Sequence, residues 1–238
     1  MYIFISFAAV YQRGLKTIIS CAGVLLVTIA IGAVAFNDPP AQINSRKLSD
    51  GEKLRASDPY NKQLVDSGLG MLRTGDLVVR MGADVTSYMF SQMNQRDKSY
   101  SHCGFVMVED GQPYVYHSIG GEDNPDQILR KDSAAYWLSP AYNLGFGIVR
   151  FSLNRGAIDS LKSVVVQMYK EKRKFDMDFD LETDDRLYCA EFAYKALNQA
   201  VNDPEYIKPV TVLGYTFVGV DNLFLHREAK LICQLRFK

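Results

Sequence analysis

The stretch from Ser101 to His117 reads SHCGFVMVEDGQPYVYH and holds two of the chain's three histidines, one near each end. Its middle is Asp110-Gly111 between two apolar runs, a strong hairpin signal, because a type I′ turn needs positive φ at both central residues. That turn fixes a register: Glu109 faces Gln112, Val106 faces Val115 and Gly104 faces His117. His102 stands two residues before Gly104, so it shares the face of His117 and lies diagonal to it, within reach of its ring. Cys103, Phe105, Tyr114 and Tyr116 then point to the opposite face, toward a core.

Outward from the hairpin, the patterning alternates between strands and helices. Thr74-Gly75-Asp76 reads as a turn and the LVVRM after it as a short strand, followed by a short helix within Val85 to Gln95. On the other side, GFGIVRFS (145–152) reads as a strand. Ala157 to Lys172 carries Ile158, Leu161, Val164, Val165 and Met168 at helical spacing, the mark of an amphipathic helix. FDMDFDL (175–181) alternates apolar and acidic residues, which predicts an extended segment with one buried face. Thr183, Asp184 and Asp185 are helix-capping types. RLYCAEFAYKALNQA behind them reads as a helix with Leu187, Ala190, Tyr194 and Leu197 as its buried stripe and Cys189 in or near its first turn. LICQLRF near the end is a last strand. The fold class is α+β: a small antiparallel sheet or barrel packed against the Cys189 helix, with that domain spanning 71–238.

The first 36 residues have a different texture. Arg13 and Lys16 are their only charges, and Thr17 to Phe36 is an uncharged apolar run about as long as a membrane-spanning helix needs. The run, its basic flank and the small residues Ala33-Val34-Ala35 fit either a cleaved signal peptide or an uncut signal anchor with the basic end in the cytoplasm. Both readings put the domain outside the cytoplasm, in the cell envelope, and the uncut one makes the membrane a partner. Residues 37–70 are polar, with Pro39-Pro40 and Pro59, and read as a linker with one helical turn.

Beyond residue 36 the chain has 25 Lys and Arg against 27 Asp and Glu, so no basic face for nucleic acid is implied. The four cysteines, Cys21, Cys103, Cys189 and Cys233, form neither a C-x-x-C motif nor a disulfide framework. The acidic run 176–182 lacks the glycine and the closing glutamate of a calcium loop. Because neighbouring strand residues point to opposite faces, His102 and Cys103 do not converge on one metal. No cofactor or metal is expected.

A cysteine at the start of a helix is favoured as thiolate, because unpaired N–H groups and the helix dipole stabilise negative charge there. A thiolate that attacks an acyl group also needs a histidine to carry its proton and a polar group to hold that histidine. A Cys189 helix packed against the hairpin face bearing His102 and His117 would supply all three. The bland alternatives are that Cys189 is a small buried hydrophobe or half of a disulfide with Cys103 or Cys233, and that the histidines are structural. His226 has no partner in the sequence.

TGDLVVR, YSHCGFV, FDMDFDL and RLYCAEFAYKAL, in that order over Leu72 to Val201, resemble the motifs of the circularly permuted papain-like NlpC/P60 hydrolases, specifically the YiiX/YebB-like branch. In that branch, and in the related lecithin retinol acyltransferase group, the histidine strand precedes the cysteine helix, as His102 precedes Cys189. The resemblance implies that Cys189 is the nucleophile, His102 the base and His117 the polar third member. Glu191 matches a frequent acidic residue after the nucleophile and receives no catalytic role. The implied activity is a thiol hydrolase acting through an acyl-enzyme on cell-wall peptide amides or on lipid esters or amides. The rival from another class is a membrane-tethered module that binds lipid or acylated peptide without chemistry.

Overall fold

The computed structural model describes residues 47–120, 124 and 127–238. The apolar segment expected over 1–36 and the first part of the expected linker lie outside the described residues. Among the described residues, no helix is long and apolar enough to cross a membrane.

The sheet has six strands, β1 (Leu77–Gly82), β2 (His102–Glu109), β3 (Gln112–His117), β4 (Arg130–Ser133), β5 (Asn143–Phe151) and, at the chain end, β8 (Ala229–Arg236). Their order is β4-β3-β2-β1-β5-β8 and every neighbouring pair is antiparallel. The sheet is open, with β4 and β8 as edges, so of the two expected forms it is the sheet and not the barrel. A separate two-stranded hairpin joins β6 (Val210–Val212) to β7 (Tyr215–Phe217). The helices are α1 (Asp50–Ser57), α2 (Pro59–Met71), α3 (Val85–Ser91), α4 (Ala134–Trp137), α5 (Arg155–Lys170), α6 (Cys189–Val201) and α7 (Val220–Phe224).

The hairpin register follows from its turn. Asp110 and Gly111 both have positive φ, 50° and 79°, and Glu109 pairs with Gln112, Val106 with Val115 and Phe105 with Tyr116. One step further, a Cβ on Gly104 would lie 2.8 Å from the Cβ of His117 and 2.7 Å from a Val115 methyl. A side chain there would push His117 off the strand.

Both faces of the sheet are covered. Alternate residues Leu77, Val79, Cys103, Phe105, Met107 and Tyr116 pack against Leu161, Val165 and Met168 of α5 and Phe192, Ala193 and Leu197 of α6. The others, Val78, Val106, Val115, Phe146 and Ile148, pack against Val65 of α2 and Ala134 and Trp137 of α4. Each fully buried side chain of Leu or Phe size contributes roughly 1.5–3 kcal/mol, so both layers hold the sheet.

Three expectations need correction. Residues 47–70 are not linker: Ser49 and Glu52 form a reciprocal cap on α1, and Asp58 caps α2 with Pro59 in its first turn. The pattern hid α2 because its buried stripe is Asn61, Val65 and Gly68, only one of them a large apolar residue. Asn61 is paired by donating to the carbonyls of Arg55 and Lys238, and a Cβ on Gly68 would stand 2.6 Å from the Phe146 ring. FDMDFDL is a looped segment instead of a strand: the Asp176 carboxylate accepts from the N–H groups of Asp178 (2.9 Å) and Asp180 (2.6 Å), and Phe179 takes φ 56°. Aspartate side chains there capture the N–H groups a ladder would need. Finally, Thr183, Asp184 and Asp185 do not cap α6, which starts at Cys189 behind Tyr188.

Candidate active site

Cys189 is the first residue of α6, and the chain leading to it is tied on several sides. Leu187 donates its N–H to the Lys174 carbonyl (2.8 Å) and its own carbonyl accepts from the buried Ser118 hydroxyl just beyond β3. Tyr188, buried, accepts the Val218 N–H at its phenol oxygen (2.8 Å) and gives its backbone N–H to the Glu191 carboxylate (3.1 Å). Glu191 has no exposed surface, and its other oxygen pairs with Lys195 at 3.1 Å. Burial pushes the Glu191 carboxyl up to about 7 against the pull of Lys195 and the Tyr188 N–H. Its contact with the Tyr188 N–H holds the start of the helix.

The sequence expectation placed α6 on the histidine face of the hairpin. The structure places it on the other face, where Phe192 meets Phe105 with ring centroids 6.1 Å apart. His102 and Cys189 still come near each other, because each stands at the first residue of its element, β2 or α6, and each shifts the titration of the other. All three expected site residues, Cys189, His102 and His117, are therefore together.

Behind His102 runs a line of hydrogen bonds. His102 Nε2 and His117 Nδ1 are 3.0 Å apart, and His117 Nε2 is 2.9 Å from Asp132 Oδ2. Asp132 Oδ1 accepts from Arg130 at 2.6 Å. The carboxylate fixes the proton positions along this line. It can only accept, so His117 donates from Nε2 and its neutral ring presents a lone pair at Nδ1. His102 must then donate from Nε2, which leaves Nδ1 free to take a proton from the thiol.

His117 is almost wholly buried, whereas His102 and Cys189 are half-buried, so only the Cys189 end of the line opens outward. Trp137, fully buried, stacks on His102 (centroids 5.8 Å, 29°) and meets His117 edge-on (6.0 Å). Arg80, opposite His102 in the β1 pairing, lies 4.6 Å over the Trp137 ring.

Electrostatics follow from this packing. The Cys189 thiol is held well below its ordinary value, first by a hydrogen bond from the Cys103 thiol, then by the His102 imidazole, with burial opposing. Burial pushes His102 down to about 4 while Cys189 pulls it up. Burial likewise brings His117 to about 4 against Asp132. Burial works against the Asp132 charge, but hydrogen bonds from His117 and Arg130 outweigh it and keep the carboxyl below its usual range. Burial thus favours the neutral form of both imidazoles while hydrogen bonds favour the charged carboxylate, as the tautomer argument requires.

The sequence reading missed Asp132, Arg130 and Trp137. Asp132 stands diagonal to His117 across β3 and β4, where His117 pairs with Arg130, by the same rule that joins His102 to His117. No two-residue turn connects β3 to β4, so nothing in the sequence reveals that register. His226 stands apart, against the Tyr206 ring (4.7 Å) and Phe151. Cys103, Cys189 and Cys233 are all free thiols, so the disulfide alternatives do not hold.

No family model and no curated protein matches the chain. A search of solved structures finds the metalloprotein YiiX from Escherichia coli O157:H7 at TM-score 0.57 and 17% identity, covering 69% of this chain and 98% of that one. This chain has the YiiX fold. YiiX is described as a metalloprotein, which raises the question whether a metal suits the residues here. They do not fit one. Both His117 nitrogens and His102 Nε2 are engaged in the line to Asp132, and the Cys103 thiol is turned to the Cys189 carbonyl. Among the described residues, no group of three or more His, Cys, Asp or Glu side chains is placed to hold a metal ion.

Proposed function

We propose that this protein is a papain-like thiol hydrolase of the cell envelope, with the permuted order of histidine strand before cysteine helix. It cleaves an amide or ester through a cysteinyl acyl-enzyme. The observation that carries the reading is the continuous line Cys189, His102, His117, Asp132, with a lowered thiol at one end and a charged carboxylate at the other. Cys189 passes its proton to His102 Nδ1 and attacks the carbonyl carbon. The first N–H groups of α6 have no acceptor within the helix and face the developing oxyanion. His102 then gives the proton to the leaving amine or alcohol, and the acyl group stays on sulfur. Water attacks this thioester with His102 as its base, releasing the acid and the thiol. Throughout, His117 holds His102 in the tautomer that keeps Nδ1 available, and Asp132 holds His117.

The substrate class is a cell-wall peptide amide or a lipid ester or amide, the two that the papain-like and acyltransferase resemblances suggest, reached from a domain held outside the cytoplasm by the N-terminal apolar segment. The test is a panel of cell-wall peptides and acyl esters and amides, with products and covalent adducts followed by mass spectrometry. The expected result is turnover of one class, an acyl adduct on Cys189 and no turnover by Cys189→Ala. Equal turnover by Cys189→Ala overturns the mechanism. Binding without turnover by either protein makes the molecule a binding module.

A further inference from the structure

Two turns of the chain share one geometry and differ in one residue type. The β2–β3 turn is Asp110-Gly111, and the β6–β7 turn, Leu213-Gly214, has the same pair of positive φ angles, here 53° and 86°. Asp, Asn or Gly suits the first of those positions, whereas the Cβ of leucine makes it unfavourable. Leu213 is also the most exposed large apolar side chain among the described residues, at 82%. Neither the turn nor the core accounts for a leucine there.

The rest of the hairpin has the same character. No charged residue stands from Pro209 to Val220. Val210 pairs with Phe217 and Val212 with Tyr215, which makes one face wholly apolar, with Tyr215 exposed and the other three half-buried. On the opposite face Thr211 and Thr216 hydrogen-bond each other at 2.9 Å. Among the described residues no further strand joins the pair, and its edges lack the charges that usually keep other chains away. Its base, by contrast, is fixed. β7 runs into Val218, whose N–H bonds the Tyr188 phenol directly before Cys189, and Val218, Val220 and Leu223 are buried in the α6 layer.

We propose that the tip of this hairpin, Val212 to Tyr215, inserts into the lipid surface of the membrane that holds the chain. The choice of occupant rests on reading Thr17 to Phe36 as a membrane segment, as the proposed function does. Only ten residues, 37–46, separate that run from Lys47, a span of at most about 35 Å when extended. So short a tether keeps lipid within constant reach of the domain. The chemistry of the tip fits that surface: Leu213 supplies an apolar side chain, Tyr215 an amphipathic ring of the kind that settles at headgroup level, and the threonine hydroxyls partner each other. The hairpin carries no charge, and Lys208 at its base pairs with Glu205 at 3.3 Å, so the contact is with the apolar layer and not with anionic headgroups. Because the base is tied to Tyr188, a docked tip holds the start of α6 at the lipid surface.

Tryptophan fluorescence tests this. Trp137 is the chain's one tryptophan and is fully buried, so Tyr215→Trp adds a reporter at the tip. The full chain is reconstituted into phosphatidylcholine vesicles, with and without brominated acyl chains, and its emission is compared with that of the unsubstituted chain. The added emission is expected to fall roughly twofold or more in brominated vesicles, to be shielded from acrylamide and to be unmoved by salt. Adding Leu213→Asp gives this turn the residue types of Asp110-Gly111, so the fold is kept while its charge returns the reporter to acrylamide. Bromine quenching that survives Leu213→Asp overturns the proposal. A chain held on the vesicles with its reporter open to acrylamide overturns it too, and leaves the membrane segment standing. Shielding without bromine quenching places a second copy over the tip and also sinks it. A chain that does not associate with vesicles at all overturns both readings. Hydrolysis plays no part in the readout, so the result stands whether or not Cys189 cleaves a substrate.

Discussion

The two faces of β2 carry different burdens. Toward α6 the strand presents Cys103, Phe105 and Met107 to an apolar layer, and the Cys103 thiol reaches the Cys189 carbonyl. Toward α4 it presents His102 and, beside it, a polar line through His117 and Asp132 roofed by Trp137. In the proposed mechanism the first face fixes where Cys189 stands and the second fixes where its proton goes. Changes on the second face should therefore alter turnover far more than folding, and changes on the first the reverse.

The largest effect is expected at the meeting point of the faces. His102→Ala removes the proton carrier and should lower kcat/KM by roughly a thousandfold or more, near the general acid-base range, with little change in the thermal midpoint. A loss below tenfold would break the comparison. On the α6 face, Phe192→Ala should destabilise by about 3–5 kcal/mol, because a fully buried ring leaves a cavity against Phe105. Denaturant unfolding measures this, and an activity loss without lost stability would count against the division.

The pH dependence sharpens the division further. His117 is held at about 4 in the native state against 6.5 in the unfolded chain. Between those values the unfolded chain binds a proton that the native one does not. Stability is thus full above about 6.5 and falls as pH drops toward 4, by about 3 kcal/mol from this residue. Unfolding across that window should lose the corresponding slope in His117→Gln, and an unchanged slope would show that His117 is not buried neutral. Smaller still is Asp132→Asn, which leaves the shape but weakens the fixed tautomer. It should cost roughly tenfold to a hundredfold in kcat, one charged hydrogen bond's worth, with KM nearly unmoved.

Legibility in the sequence followed the physics of each element. The hairpin could be read because Asp110-Gly111 has one favoured turn and a side-chain period of two leaves one register. The α5 helix could be read because Leu161, Val164, Val165 and Met168 are all apolar and all buried. In contrast, α2 buries Asn61 and Gly68, whose value lies in a hydrogen bond and a close approach that no hydropathy pattern records. FDMDFDL misled for a related reason, since its aspartates bond their own backbone.

By itself the sequence determined the hairpin, the adjacency of His102 and His117 and the place of Cys189 at a helix start, because each follows from local backbone rules acting over a few residues. Only the tertiary structure decided which face α6 covers, that Asp132 completes the histidine line, and that Cys103 sits beneath the nucleophile. The first and the last are contacts across 86 or 87 positions, set by how layers pack, and the second depends on a β3–β4 register that no tight turn fixes.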